Sequence, residues 1–430
     1  MRLAVAAIGM VVAGCLLPLP ASPARNLESP LEAETVGEAL GEGSLLFGLR
    51  PRFTWVDQDS RPERAYWGSL RTTLGWKTLS YYGFRATVEA IDVRIFDAHG
   101  TIDYTQTPAY TGSRGGPLYG PYTPGYYPLV ADPETTDFNR FQLEYAGLPE
   151  TTMRFGRQVV RIDNQRFIGD YDAGQLPQVF NGFSVENQSL RATRLTAGYF
   201  ARVRNAYAVQ SQTHLTVLNG RFEPDPRLKL AAYAYLQNQA RTGSVTGFAD
   251  NSNRILGGRA WGAFKLGGTF ELLYTAEAAQ QRNYAGGDPR IDASYWRFGG
   301  GLAYKHGFAR VDWEKLGSNR GLYGFQTPLG STQLFTGRAD LFATTPLAGL
   351  RDLRGAVGAN AGKAQLRLDY HRFHSDWNDR DLGREWDLSL SWSFTPKLVA
   401  SVEYADYKAG GAQYGFPDTQ KAWVQVAYSY

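Results

Sequence analysis

Period-two alternation dominates the chain. Near the C-terminus Val424, Val426, Tyr428 and Tyr430 are apolar or aromatic at every second position, with Gln425, Ala427 and Ser429 between them. Trp386, Leu388, Leu390, Trp392 and Phe394 alternate with Glu385, Asp387, Ser389, Ser391 and Ser393. Phe141, Leu143 and Tyr145 stand against Arg140, Gln142 and Glu144, and Leu70, Thr72, Leu74 and Trp76 against Ser69, Arg71, Thr73 and Lys77. Successive side chains of a strand point to opposite faces, so one face of each segment suits lipid and the other suits water. A soluble sandwich also alternates, but rarely sets so many charges in register opposite aromatic strand ends. Inside a bilayer every backbone group must be paired within the protein, so such strands must close into a barrel.

The pattern predicts strands near 44–56, 65–77, 81–96, 138–147, 151–162, 179–187, 193–203, 213–222, 228–238, 254–266, 268–281, 293–306, 307–317, 350–360, 363–374, 384–394, 397–408 and 421–430. The connections alternate in length. Leu148-Pro149-Glu150, Gly267, the corner at Gly307, 361–362 and Thr395-Pro396 are short, whereas 97–137, 163–178, 239–253, 282–292, 318–349 and 409–420 are long. Short periplasmic turns and long outer loops are the asymmetry of bacterial outer-membrane barrels, and the even strand count agrees. The predicted class is all-β: a transmembrane antiparallel β-barrel of about 18 strands occupying 44–430.

The first residues carry an address. A basic start at Arg2, an apolar run from Leu3 to Leu19 and the small residues Ser22-Pro23-Ala24 read as a secretory signal peptide over 1–24. Val12-Ala13-Gly14-Cys15 also matches a lipobox, which would lipidate Cys15, but the apolar run continues past Cys15 and a cleavage site follows. Residues 25–43 form a periplasmic segment with five glutamates, read as a mobile lead-in in preference to a weak helix over Leu31–Leu40.

Composition sharpens this picture. The only apolar run long enough to be a membrane helix is the N-terminal one, which excludes a multi-helix membrane protein. One Cys excludes a disulfide framework and Cys-based zinc sites. The formal net charge is only +4, but 36 of the 45 basic residues are Arg. Arg holds planar anions through a two-pronged fork, so the question becomes which anion, rather than whether a nucleic acid, is the partner. The five histidines include His371 and His374, which fall on opposite faces of one strand. No nucleophile elbow, phosphate loop or zinc spacing occurs, so neither an enzyme nor a cofactor is expected.

A barrel near 18 strands leaves an aqueous channel. On the water-facing parity lie Arg50, Arg52, Arg71, Arg85, Arg140, Arg297, Arg310 and Arg367, opposed by Glu89, Glu144, Glu271, Glu277, Asp312, Glu314, Asp369, Glu385 and Asp387. Most of these are expected to pair with one another as a solvated wall; an excess of Arg at a constriction would select anions. Arg154 and Arg157 lie on opposite parities, which places one near a lipid rim or requires a bulge. The candidate pore-lining set is Arg50, Arg52, Arg71, Arg85, Arg140, Arg154, Arg157, Arg166, Arg310, Arg338, Asp340 and Arg367. The loops carrying Arg166 and Arg338 are expected to fold inward and narrow the pore. Arg166 would contact the passing anion or, alternatively, hold its loop by an ion pair with Asp163 or Asp170. Tyr104, Tyr110, Tyr119, Tyr122, Tyr126 and Tyr127 in a Gly/Pro/Tyr-rich loop could stack on sugars or pack on each other.

Three blocks of sequence resemble the alginate export family of outer-membrane barrels. The first runs from Arg154-Phe155-Gly156-Arg157-Gln158 through Asn164-Gln165-Arg166-Phe167-Ile168-Gly169 to Phe180-Asn181-Gly182. The second comprises Phe325-Gln326-Thr327-Pro328-Leu329, Phe335-Thr336-Gly337-Arg338-Ala339-Asp340, Thr345-Pro346 and Gly349-Leu350-Arg351-Asp352. The third is Gly383-Arg384-Glu385-Trp386-Asp387 with Tyr404-Ala405-Asp406-Tyr407. The resemblance implies an 18-stranded barrel that exports an anionic exopolysaccharide through an Arg-rich pore. Partners would be that polymer or a small anion, outer-membrane lipids and periplasmic export proteins. The chain departs from the family where Tyr171 to Gln178 replaces a common Trp-Arg-Gln and where Arg338 replaces a Trp. The alternative reading is a diffusive porin for small anionic or aromatic nutrients.

Overall fold

The computed structural model describes residues 32–99, 127–130, 132–239, 250–411 and 416–430. Signal cleavage after Ala24, lipidation of Cys15 and the loop residues Tyr104, Tyr110, Tyr119, Tyr122 and Tyr126 lie outside the described residues.

Among the described residues eighteen strands form, in the order anticipated. They are β1 (Ser44–Gln58), β2 (Ala65–Lys77), β3 (Phe84–His99), β4 (Thr135–Leu148), β5 (Thr151–Gln158), β6 (Val179–Asn187), β7 (Thr193–Arg204), β8 (Gln210–Asp225) and β9 (Leu228–Gln237) in the first half. The second half holds β10 (Asn253–Gly267), β11 (Phe270–Asn283), β12 (Asp292–Tyr304), β13 (Gly307–Leu316), β14 (Leu350–Ala361), β15 (Ala364–His374), β16 (Asp381–Thr395), β17 (Leu398–Ala409) and β18 (Thr419–Ser429). Each pairs antiparallel with its sequence neighbours, and β1 closes the ring on β18 with Phe53 opposite Val424. Closure removes every sheet edge, which a lipid-embedded sheet requires. The outward stripe on β16, Trp386-Leu388-Leu390-Trp392-Phe394, is exposed at every member, as a lipid-facing surface must be.

Two expectations are corrected. Strand β5 stops at Gln158 rather than near Ile162, so Val159–Ile162 already belong to a loop leaving the wall. The lead-in is not simply free. Thr35 caps a short helix, α1 (Val36–Gly41), by accepting from Glu38 N at 3.1 Å. This segment docks on the turn after β2: Trp76 Nε1 donates to Leu40 O at 2.8 Å, Ala33 N to Ser80 O at 2.7 Å and Leu79 N to Ala39 O at 3.0 Å.

Arg154 and Arg157 keep opposed parities: Arg154 stands opposite Glu144 and Arg157 opposite the exposed Phe141. Between them Gly156 takes φ +111, while farther along the sheet β7 carries an extra residue, Ala201, opposite Asn181/Gly182 of β6. A Cβ at Gly156 would lie 2.2 Å from Phe141 O, so only glycine fits. Arg154 reaches Glu144 at 2.9 Å, while Arg157 is held by Asn181, the Phe138 carbonyl and Asp137.

Candidate functional site: the lumen constriction

Two long outer connections, L3 (159–178) and L7 (317–349), fold into the barrel. L3 crosses from the β8–β13 wall to the β1–β2 wall. At its near end Asp163 accepts from Asn219 of β8 at 2.6 Å and Asn164 donates to Glu277 of β11 at 3.1 Å. Phe167 packs into a buried aromatic cluster with Tyr233, Tyr235, Tyr295 and Phe325. At the far end Arg50 donates to Gln175 Oε1 and Asp172 O, both at 3.0 Å, and to Gly174 O. Arg52 donates to Ala173 O, and Arg71 to Asp172 Oδ1 at 2.7 Å. Burial alone would raise the Asp172 carboxyl, but the guanidiniums of Arg71 and Arg50 outweigh it and hold its pKa at about 2.

L7 meets L3 in mid-lumen. Gly169 N donates to Leu329 O at 2.8 Å, Ser331 N to Gln165 O at 2.9 Å, and Gln178 Nε2 to the carbonyls of Gly169 and Leu329. The Tyr171 hydroxyl donates to Asp340, which also accepts from Thr332 Oγ1 at 3.2 Å. L7 is fixed to the opposite wall by carboxylates: Ala339 N donates to Glu385 Oε1 at 2.7 Å, Arg338 N reaches Asp387, and Arg338 NH1 meets Glu403 Oε2 at 2.6 Å.

Beside the joined loops lies a cavity of about 200 Å³. Arg50, Arg52, Arg71, Arg161, Arg338 and Arg367 line it, against the carboxylates Asp170, Asp172 and Glu403. Among the lining residues positive charge exceeds negative by three, but Asp132 backs Arg52 at 3.7 Å and Asp369 backs Arg367 at 2.7 Å, which leaves an excess of one. Arg161, held by Asp170, is the most open of the six, with 38% of its side chain exposed. A second cavity, about 120 Å³, lies on the β5–β8 side of L3 and is lined by Arg154, Arg161, Arg194 and Arg221 with Asp163 and Glu186.

The candidate residues therefore separate into groups. Arg50, Arg52, Arg71, Arg338 and Arg367 share the larger cavity, and Arg154 lines the smaller one. Arg85, Arg140 and Arg310 line the wall in pairs with Glu144, Glu89 and Asp312, as a solvated wall predicts. Two members are corrected. Arg166 has no exposed side-chain surface and so cannot touch a passing anion; it is paired with Glu314 rather than Asp163 or Asp170. Asp340 does not line the larger cavity but joins the two loops. Alternation places Arg161 at a strand end and gives no signal for Asp172 or Glu403, yet all three line the larger cavity. Nor does alternation signal that His371 is buried between Asp352, at 2.7 Å, and Asp387, at 3.6 Å.

The family model described as Alginate export matches residues 56–419. The chain belongs to the alginate export family. Within that family's barrel, L3 carries the middle of the first block and L7 most of the second, while the first block's flanks lie on β5 and β6 and the third block lies on the wall strands β16 and β17. No curated protein sequence matches the chain. Solved structures share the architecture. Acinetobacter baumannii OccAB2 aligns with a TM-score of 0.66 at 14% identity, covering 91% of this chain and 99% of that one. Pseudomonas aeruginosa OccK9 (OpdG) gives 0.66 at 12%, with the same coverage. Pseudomonas aeruginosa OccD3 (OpdP) gives 0.62 at 11%, covering 90% and 91%. At such identities the likeness is one of fold. Together, family and barrel make the protein an outer-membrane channel of Gram-negative type.

Proposed function

We propose that this channel carries an anionic exopolysaccharide outward, passively, past the arginines beside the joined loops. The observation behind this reading is the excess of guanidinium over carboxylate around the larger cavity. A uronate carboxylate entering a narrow passage loses part of its water shell, and guanidinium forks replace it with charge-assisted hydrogen bonds. Asp170 holds Arg161, Asp172 holds Arg50 and Arg71, Glu403 holds Arg338, Asp132 holds Arg52 and Asp369 holds Arg367, so each guanidinium stays partly engaged and binding stays weak enough for release and onward movement. Movement along such a wall needs no cofactor and no covalent step.

One observation favours a second reading, diffusion of small anionic nutrients. The free volume of about 200 Å³ is below the roughly 300–1,000 Å³ of pockets that hold drug-sized ligands. Oligo-uronates of increasing length, added to a planar bilayer holding the channel, separate the two readings. Length-dependent block by oligomers, from one side only, supports polymer passage. Block by monomers alone supports the small-anion reading.

A further inference from the structure

The barrel register sets three cations side by side on the outer surface. Arg372 of β15 lies directly opposite Arg384 of β16, and Arg384 directly opposite Lys408 of β17. Like charges directly opposite on one sheet face repel and destabilise the pairing. The two flanking cations have carboxylates: Arg372 meets Asp381 at 2.7 Å, and Lys408 meets Asp418 at 3.1 Å and Asp406 at 3.8 Å. Arg384 is exposed and has no hydrogen-bond, ion-pair or ring partner among the described residues. The neighbouring in-register pair, Lys315 and Arg351, shows the contrast, since Asp376 and Asp379 answer both of its members.

The height of this row in the membrane is given by the residues beneath it. Arg384 stands one outward position above Trp386, whose ring packs on Tyr370 at 4.6 Å. Below Trp386 the exposed apolar stripe runs through Leu388, Leu390 and Trp392 to Phe394. Aromatic girdles mark the border between acyl chains and headgroups. The row lies at the outer-loop end of its strands, so Arg384 sits at headgroup level in the outer leaflet. That leaflet in a Gram-negative outer membrane is built of phosphate-bearing glycolipid.

We propose that Arg384, flanked by Arg372 and Lys408, binds a phosphate group of an outer-leaflet glycolipid. The guanidinium fork matches two phosphate oxygens, and the anion relieves the repulsion along the row. The acyl chains of the same lipid would lie on the stripe below. The site is on the outer wall, apart from the lumen arginines, and is independent of what the channel carries.

The test uses the full-length protein in detergent and two titrants: a bisphosphorylated glycolipid of the lipid A type and its dephosphorylated form. The wild type should bind the phosphorylated form more tightly. Arg384→Gln should weaken that binding at least about tenfold, the loss expected for one charge-assisted hydrogen bond, and Arg384→Lys should lose less. Arg94→Gln, at an exposed arginine already answered by Asp92 at 2.7 Å, should change nothing. Equal binding of both glycolipids by the wild type overturns the proposal. So does an Arg384→Gln variant that binds like wild type, or competition by millimolar inorganic phosphate, which would point to free anion instead of lipid. Should Arg384→Gln fail to fold, the comparison of the two glycolipids with the wild type and Arg384→Lys decides alone.

Discussion

Arg166 and Glu314 lie 148 residues apart in sequence and meet as a buried two-pronged ion pair, Nε to Oε1 at 2.8 Å and NH2 to Oε2 at 3.3 Å. Thr327 Oγ1 accepts the remaining NH1 bond at 3.0 Å, Tyr295 donates to the same glutamate at 2.7 Å, and the guanidinium lies 4.9 Å from the Phe335 ring centroid. One side chain thus ties L3 to the β13 wall and to L7. Removing either partner would leave a buried charge uncompensated, at a cost of about 3–5 kcal/mol.

Arg166→Ala and Glu314→Ala should each lower the thermal unfolding midpoint clearly, and the double variant should lose much less than the sum of the two. Thermal denaturation of the four proteins in one detergent measures this. An Arg166→Ala protein of wild-type stability with altered ion selectivity would restore Arg166 as a pore contact.

The Tyr171–Asp340 contact joins L3 to L7 without spanning the wall. Tyr171→Phe should cost only about 1 kcal/mol, the usual worth of one hydrogen bond, yet widen the passage by loosening the loop junction. Single-channel conductance should rise while the unfolding midpoint moves little. Unchanged conductance would mean that the backbone bonds between Gly169, Leu329, Gln165 and Ser331 hold the junction without it.

Asp172 gives the channel a defined acid limit. Its folded pKa of about 2 lies below the unfolded value of about 3.9. Its contribution is therefore fully present above about pH 4 and is lost as pH falls toward 2. Asp170 and Asp340, both raised by burial, protonate first on acidification; a separate change in conductance should follow below about pH 4 as the L3 tip leaves Arg50 and Arg71. Asp172→Asn should remove that acid step, and a step of the same size in the variant would assign it to another group.

The strand order was readable because a lipid-facing surface forces period two on every strand, and the Trp386–Phe394 stripe carries that constraint plainly. The inward course of L3 and L7 was also readable, from loop length. The partners were not. Glu314 looks like any water-facing acid, and only closure of the barrel brings Arg166 against it. Arg161 was hidden because Val159–Ile162 continue an apolar pattern after β5 has ended; their apolar side chains pack on loop and wall inside the lumen. The docking of α1 depends on Trp76, a residue that alternation alone assigns to the lipid face.

The architecture has its own check. A closed barrel in detergent keeps its pairing until heated, so unboiled and boiled samples should migrate differently on a gel. Identical migration together with helical circular dichroism would refute the barrel.

Anion passage depends most directly on the sign of the field around Arg71, Arg338 and Arg367. The zero-current potential of the channel in a planar bilayer under a salt gradient reads that sign directly. Wild-type protein should be anion-selective, and the triple variant Arg71→Gln, Arg338→Gln, Arg367→Gln should lose most of that preference while remaining heat-modifiable. Cation selectivity in the wild type, or selectivity unmoved in a folded triple variant, would contradict the proposed anion passage.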